Sequence, residues 1–362
     1  MSDNEKHSPL HDLHLELGGR LVPFAGWQMP VMYRSILDEH QAVRTASGIF
    51  DISHMGQFFV SGPNCHAWLN HLLANDLDKL DDGSGQYSFL LNPDGGVIDD
   101  LIVYRLAANE FFLVVNAAKL DEDLAWLQQH AEPDIEIRNE SDAWAGLAVQ
   151  GPKAVAAFKS VYPGQSLPER NGIARLADGE IICRTGYTGE DGFELFVPAA
   201  EGAGKFRAFI EAGVTPCGLG SRDSLRLEKC LPLNGNDLSP ERTPLEAGLG
   251  FFCPLDCADF IGRDALLKQK ESGLSERLVA IEYLEKGAPP RAHYPVLSEE
   301  GEPLGELASG APSPTLGKGI AMAYLPTTHT KIGTRLQIDV RGRKVPAAVV
   351  KKPLYKTPKS SS

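Results

Sequence analysis

The hydrophobic pattern changes period several times along the chain. After Ser35, apolar residues at Ile36, Ala42 and Val43 share one face of a helix that ends at Gly48. A second helix is predicted over residues 63–73. From residue 86 the period shortens to two, and 86–92, 97–106 and 110–117 read as three antiparallel strands, the first pair joined by Pro93-Asp94-Gly95-Gly96. A helix over 119–130 follows, then a strand over 144–150 and a helix over 152–161. Residues 174–177 and 180–184 form a hairpin turned by Asp178-Gly179, and 193–197 with 203–211 repeat a strand and a helix. The run after Gly218 reads as a helix capped by Ser221, and 263–271 as another. Beyond it come short strands, turns at Glu300-Gly301 and Arg341-Gly342, and little helix.

Strands pair through short turns while helices interrupt them irregularly, so the pattern is α+β and not a βαβ alternation; a dinucleotide fold is not expected. The 362 residues exceed the roughly 250–300 that one core usually supports. A boundary falls near Ser272 to Glu276, with a small antiparallel β-barrel after it.

No apolar run approaches the roughly 18 residues of a membrane span, and the polar stretch from Met1 to His7 does not read as a secretory signal. Neither a membrane nor export is expected. Six scattered cysteines fit a reducing compartment; Cys253 and Cys257 come closest to a pair, with no second Cys or His pair to complete a zinc site, so no metal is expected. A formal charge of −13 argues against nucleic acid. The end of the chain is nevertheless basic: Arg341, Arg343, Lys344, Lys351, Lys352, Lys356 and Lys359 occur with no acidic residue among them. That segment reads either as a solvated edge strand with a frayed tail or as a local site for an anionic ligand.

Asp99-Asp100 interrupts an apolar strand just after the Gly95-Gly96 turn. Alternation sends the two side chains to opposite faces, so they do not form a shared-proton dyad with each other. Such a carboxylate is either backbone-bonded or catalytic. Arg184-Thr185-Gly186-Tyr187-Thr188-Gly189-Glu190-Asp191-Gly192-Phe193-Glu194 is a glycine-dense loop that lets backbone approach a ligand. Tyr187 could stack on a planar ring and Glu194 could accept two parallel hydrogen bonds from an amidine-like edge; the alternative is a tight turn with solvated acids. Arg222 opposes the dipole of its helix in the first turn, which calls for an acceptor, either Asp223 or Glu228 or a ligand. His54 reads as a structural histidine, Gly310 to Lys318 as a turn and not a phosphate loop, and Asn139-Glu140-Ser141 as a glycosylation pattern without a route to use it.

Six ordered motifs spread through nearly the whole chain make it similar to the aminomethyltransferase family, the T-proteins of glycine cleavage. They are Phe24-Ala25-Gly26-Trp27 with Met29-Pro30, Ile49 to Gly56, Gly95 to Leu101, Arg184 to Gly192, Gly218 to Asp223, and Ser309 to Gly317. The resemblance implies a folate-binding body of two parts around a central hole, over 1–271, with subdomains of about 1–55 with 140–243 and 56–139 with 244–271. A C-terminal barrel over 276–358 would complete it. It implies transfer of the carbon of the aminomethyl group on the lipoyl arm of H-protein to tetrahydrofolate, with release of ammonia. The resemblance carries a catalytic role onto Asp100 and folate-binding roles onto Tyr87, Tyr187, Glu194 and Arg222. Tetrahydrofolate is then a co-substrate, lipoylated H-protein the partner and the cytoplasm the location, with no metal, flavin or nicotinamide. The rival readings are a folate-dependent demethylase of the same superfamily and a non-catalytic folate-binding protein. Leu233-Asn234-Gly235 and Lys229-Cys230 depart from the family pattern.

Overall fold

The stretch after Ser35 is helical over Ile36–Thr45, and the Ser35 hydroxyl accepts the Asp38 N–H at 3.0 Å, as an N-cap should. The computed structural model describes residues 5–256 and 259–357, so Cys257 of the Cys253 pair, Lys359 and the first four residues lie outside the description. The other predicted helices form at Cys65–Leu72, Leu120–Gln129, Ala154–Val161, Gly202–Glu211 and Arg263–Ser272. The one after Gly218 runs over Leu219–Glu228 and starts earlier than expected. Ser221 is its third residue and not its cap; its hydroxyl donates to the Gly218 carbonyl at 2.9 Å.

The chain packs as two units, Met1–Leu90 with Asp99–Arg222, and Leu91–Ile98 with Asp223–Ser362. In the first, Gly192–Pro198 and Trp144–Gln150 pair antiparallel at the centre of a mixed six-stranded sheet. Helices Ala154–Val161 and Gly202–Glu211 pack Phe158, Phe206 and Phe209 against Leu147, Val149 and Leu195 of that sheet. Burying each such side chain contributes about 2 kcal/mol. A five-stranded sheet holds the predicted meander, Ser84–Leu91, Val97–Ala107 and Glu110–Val115, with Gly56–Ser61 and Glu136–Asn139 beyond it. A three-stranded sheet of Lys6–His7, Trp27–Met32 and Arg20–Phe24 has no counterpart in the sequence reading, because its first strand is only two residues long and Pro23 and Pro30 interrupt the strand pattern of the other two.

In the second unit, Glu276–Tyr283 pairs with both Lys318–Pro326 and Arg343–Val350, which closes the barrel. Its interior is apolar, with Ile281, Val296, Leu307, Ile338 and Val349 inside. Arg341 and Gly342 both have positive φ, the two-residue turn that matches strand twist. Closure corrects the basic end of the chain: Arg343–Val350 has neighbours on both sides and is no edge strand. Nor is the described tail frayed. The Tyr355 N–H donates to the Glu228 carbonyl at 2.8 Å, and Lys352 Nζ donates to the Ala247 carbonyl at 3.4 Å. Gly310 to Ser313 belong to the strand Pro303–Ser313, so the turn expected there is confined to the residues before Lys318.

One buried carboxylate sets where the Leu219–Glu228 helix begins. Glu39 accepts from the backbone N–H groups of Tyr33 at 2.7 Å, Arg34 at 3.1 Å and Gly218 at 2.9 Å, and the Ser221 hydroxyl, whose proton is on the Gly218 carbonyl, lies 3.3 Å from it. Gly218 is required there, since a Cβ would sit 2.4 Å from the Val31 carbonyl carbon. Glu39→Ala strands these donors in the interior and is expected to cost about 3 kcal/mol or more of stability. Urea unfolding monitored by circular dichroism measures it, and a loss under about 1 kcal/mol would contradict this account of the helix start.

Candidate active site

The strand Val97–Ala107 splits its two aspartates as alternation requires: Asp99 is fully buried and Asp100 half-buried. Both oxygens of Asp100 are held. The Tyr87 hydroxyl, from the neighbouring strand Ser84–Leu91, donates to Oδ2 at 2.8 Å, and the Asn116 side-chain amide reaches Oδ1 at 3.2 Å. The two protons of that amide serve three acceptors, Asp99 Oδ1 at 2.8 Å, the Asp100 carbonyl at 2.9 Å and Asp100 Oδ1 through a shared proton, while the Asn116 backbone N–H donates to Asp99 Oδ2 at 3.0 Å. Burial first, and then the charge of Asp100, raise the Tyr87 phenol well above its ordinary range. It therefore stays protonated and remains a donor to the carboxylate.

The glycine-dense loop is fixed from below. Gln150 Nε2 donates to the Thr185 carbonyl at 3.1 Å, its Oε1 accepts the Thr188 hydroxyl at 2.9 Å, and Arg44 donates to both the Thr188 carbonyl and Glu190 at 2.8 Å. Gly186 has no alternative there, because a Cβ would meet Gln150 Oε1 at 1.9 Å. The loop presents Tyr187 with the Arg222 guanidinium 4.5 Å over its ring, so one partner of Arg222 is an aromatic face. Of the acceptors considered for Arg222, Asp223 accepts from Arg226 at 2.7 Å and Glu228 accepts from the Thr315 hydroxyl at 3.0 Å.

Glu194 accepts the Thr185 hydroxyl at 2.6 Å. Thr185 has spent its proton there, so Tyr104 is the donor in the 2.6 Å contact between their oxygens. Burial raises the Glu194 carboxyl, opposed by the Thr185 bond and the nearby charge of Arg222. The phenol of Tyr187 in turn contributes to raising Tyr87. These influences bring Tyr87, Asp100, Tyr187, Glu194 and Arg222 into one half-buried neighbourhood. His54 is buried against Phe24, its ring centroid 5.5 Å away; burial first and then Arg222 lower it to about 4, so it is neutral at physiological pH. No cluster of metal-ligating side chains occurs among the described residues.

Sequence reasoning missed Asn116, Thr185, Gln150 and Arg44. Asn116 ends a strand and looks like a turn residue; Gln150 and Arg44 lie far from the loop in sequence, and nothing local marks them.

A model of the GCVT N-terminal domain matches residues 10–257, and one of the glycine cleavage T-protein C-terminal barrel domain matches 276–356. The aminomethyltransferase of Symbiobacterium thermophilum is 43% identical over 374 aligned residues, 99% of each chain. That of Bacillus subtilis is 43% identical over 364, covering 97% of this chain and 99% of its own. The crystal structure of the glycine cleavage system aminomethyltransferase T from Bartonella henselae superposes with a TM-score of 0.92 at 35% identity, covering 97% of this chain and 98% of that one. None of these matches favours the demethylase or the non-catalytic binder. With the two domain models together spanning nearly its whole length, the chain belongs to the glycine cleavage T-protein family.

Proposed function

We propose that this chain is an aminomethyltransferase like its relatives, that it moves the carbon of an aminomethyl group from the lipoyl arm of H-protein to tetrahydrofolate with release of ammonia and the dihydrolipoyl arm, and that Asp100 is the carboxylate at the reacting centre. The observation that carries the reading is the two-sided grip of Tyr87 and Asn116 on Asp100, within the neighbourhood that also holds Tyr187, Glu194 and Arg222. A cytoplasmic site of action belongs to the same proposal and is supported by the free thiols of Cys65, Cys183, Cys217, Cys230 and Cys253. So does a division of labour between a folate-handling body over 1–271 and a barrel over 276–358, whose last residue lies outside the described ones.

The residues present fit a reduced folate. A half-buried acid beside an aromatic ring suits a planar ring with an amidine-like edge, since Glu194 can accept two parallel N–H bonds and Tyr187 offers a π face. Tetrahydrofolate supplies the amine nucleophile. Asp100, already oriented, accepts a hydrogen bond from that amine and then its proton as the carbon–nitrogen bond forms; the carbon's bonds to the amino nitrogen and to the lipoyl sulfur break in exchange, and the two folate N–H protons leave with ammonia and the dihydrolipoyl thiol, giving 5,10-methylenetetrahydrofolate. The Tyr87 hydroxyl stays on the other oxygen throughout, which keeps the reacting oxygen from rotating away. Holding amine and carbon at near-attack distance turns a bimolecular step into an effectively unimolecular one.

With aminomethyl-loaded H-protein and tetrahydrofolate, Asp100→Asn is expected to release ammonia at least about a hundredfold more slowly while binding folate nearly as well as the native chain. Turnover within about threefold of native removes Asp100 from the chemistry. Glu194→Gln acts on binding instead, raising the KM for tetrahydrofolate by about tenfold or more with a smaller change in kcat. Because burial raises Glu194, the native chain loses folate affinity as pH falls toward a value above the ordinary carboxylate range. Calorimetric titration across pH should show that acid limb in the native protein and its absence in Glu194→Gln; an unaltered limb assigns it elsewhere.

A further inference from the structure

Beneath Asp100 lies a second pair of carboxyl groups that the reaction does not touch. Asp99, from the strand Val97–Ala107, and Asp123, from the start of the helix Leu120–Gln129, are both 0% exposed. Asp99 has the Asn116 N–H donors on both oxygens. Asp123 has none: neither of its buried oxygens receives an N–H or a hydroxyl from the described residues, and the carboxyl of Asp99 is the group that bears on it most strongly. Two ionised carboxylates can only accept and repel each other in the interior, so a buried pair of which one member lacks every donor holds a proton. The group without donors is the one that keeps it.

We propose that Asp99 and Asp123 share one proton at neutral pH and that the pair is a positioning element for Asp100. The Asp123 hydroxyl fixes the Asp99 carboxylate, Asp99 fixes the Asn116 amide, and the amide fixes Asp100. This rests on the reading of Asp100 as the reacting carboxylate. The charged or polar groups that face the pair are Glu122 and Lys119 on the helix, Asp100 on the strand, Tyr87 on the neighbouring strand Ser84–Leu91 and Asn116 at the end of the strand Glu110–Val115. Burial and then Asp99 raise Asp123 well above the ordinary carboxylate range; Glu122 adds to this and Lys119, itself 2.7 Å from Glu122, opposes it. Burial likewise raises Asp99.

Between the ordinary carboxylate pKa and the raised one, the folded chain holds one more proton than the unfolded chain. The shared proton therefore stabilises fully in acid, and its contribution fades as pH rises, by up to about tenfold in the folding constant per pH unit. Asp123→Asn, whose amide still donates to Asp99, removes that slope.

The test measures turnover with tetrahydrofolate and aminomethyl-loaded H-protein. Asp123→Leu, which cannot donate, should lower kcat at least about tenfold with the KM for tetrahydrofolate within about twofold, and Asp123→Asn should retain kcat within about threefold. Native kcat in Asp123→Leu, or an Asp123→Asn variant as slow as Asp123→Leu, overturns the proposal. Should Asp123→Leu fail to fold, infrared spectroscopy decides. The carbonyl stretch of a protonated carboxylic acid should be present in the native chain at neutral pH and missing from Asp123→Asn, and its absence from the native chain overturns the shared proton. Asp100→Asn run beside these variants separates the two readings. Native turnover there defeats the assignment of Asp100 itself, whereas a dead Asp100→Asn with a fully active Asp123→Leu defeats only the positioning role.

Discussion

A carboxylate that serves as base must be held still while remaining able to take a proton, and the hold on Asp100 is where the rest of the structure converges. An aspartate has two free side-chain torsions, and a half-buried one with a single partner would rotate. Here one oxygen is bonded to a phenol from the adjacent strand and the other to an amide from the end of the next strand. Both donors are neutral, so neither neutralises the carboxylate as an arginine or lysine would. The phenol is kept neutral by burial and by the charge it serves, which makes the arrangement self-consistent.

The remaining candidate groups come from distant parts of the chain and are brought in by buried polar ties. Gln150 and Arg44 hold the loop that carries Tyr187, and Glu39 holds the first turn of the helix that carries Arg222. Each tie places a charged or polar side chain in the interior against backbone groups, where it is costly unless fully satisfied and stiff when it is. Gly186 has the same cause, since it lets Gln150 approach the loop too closely for a Cβ, and Gly218 lets the helix start pack against the backbone of Val31.

What the sequence reveals and conceals divides along the same line. Asp100 stands out because an aspartate pair inside an apolar strand breaks the local pattern, and alternation alone separates the two residues correctly. Asp123 does not stand out: Asp121, Glu122 and Asp123 all suit the first turn of a helix, and only the packing shows which of them is interior. Glu39 hides in the same way among the polar residues of an amphipathic helix. The edge-strand reading of the basic end fails because barrel closure joins Glu276–Tyr283 to Arg343–Val350 across the whole domain, a pairing no local window contains. Ser221 is misread because a serine after a glycine pair looks like a cap, whereas here a buried carboxylate from another helix begins the turn earlier.

The most direct test is a crystal structure of this protein soaked with tetrahydrofolate. The account predicts a folate amine nitrogen about 3 Å from an Asp100 carboxylate oxygen, with the Tyr87 and Asn116 bonds retained and the planar ring beside Tyr187 and Glu194. Folate bound away from these residues, or bound among them with the Asp100 carboxylate directed elsewhere, would contradict it.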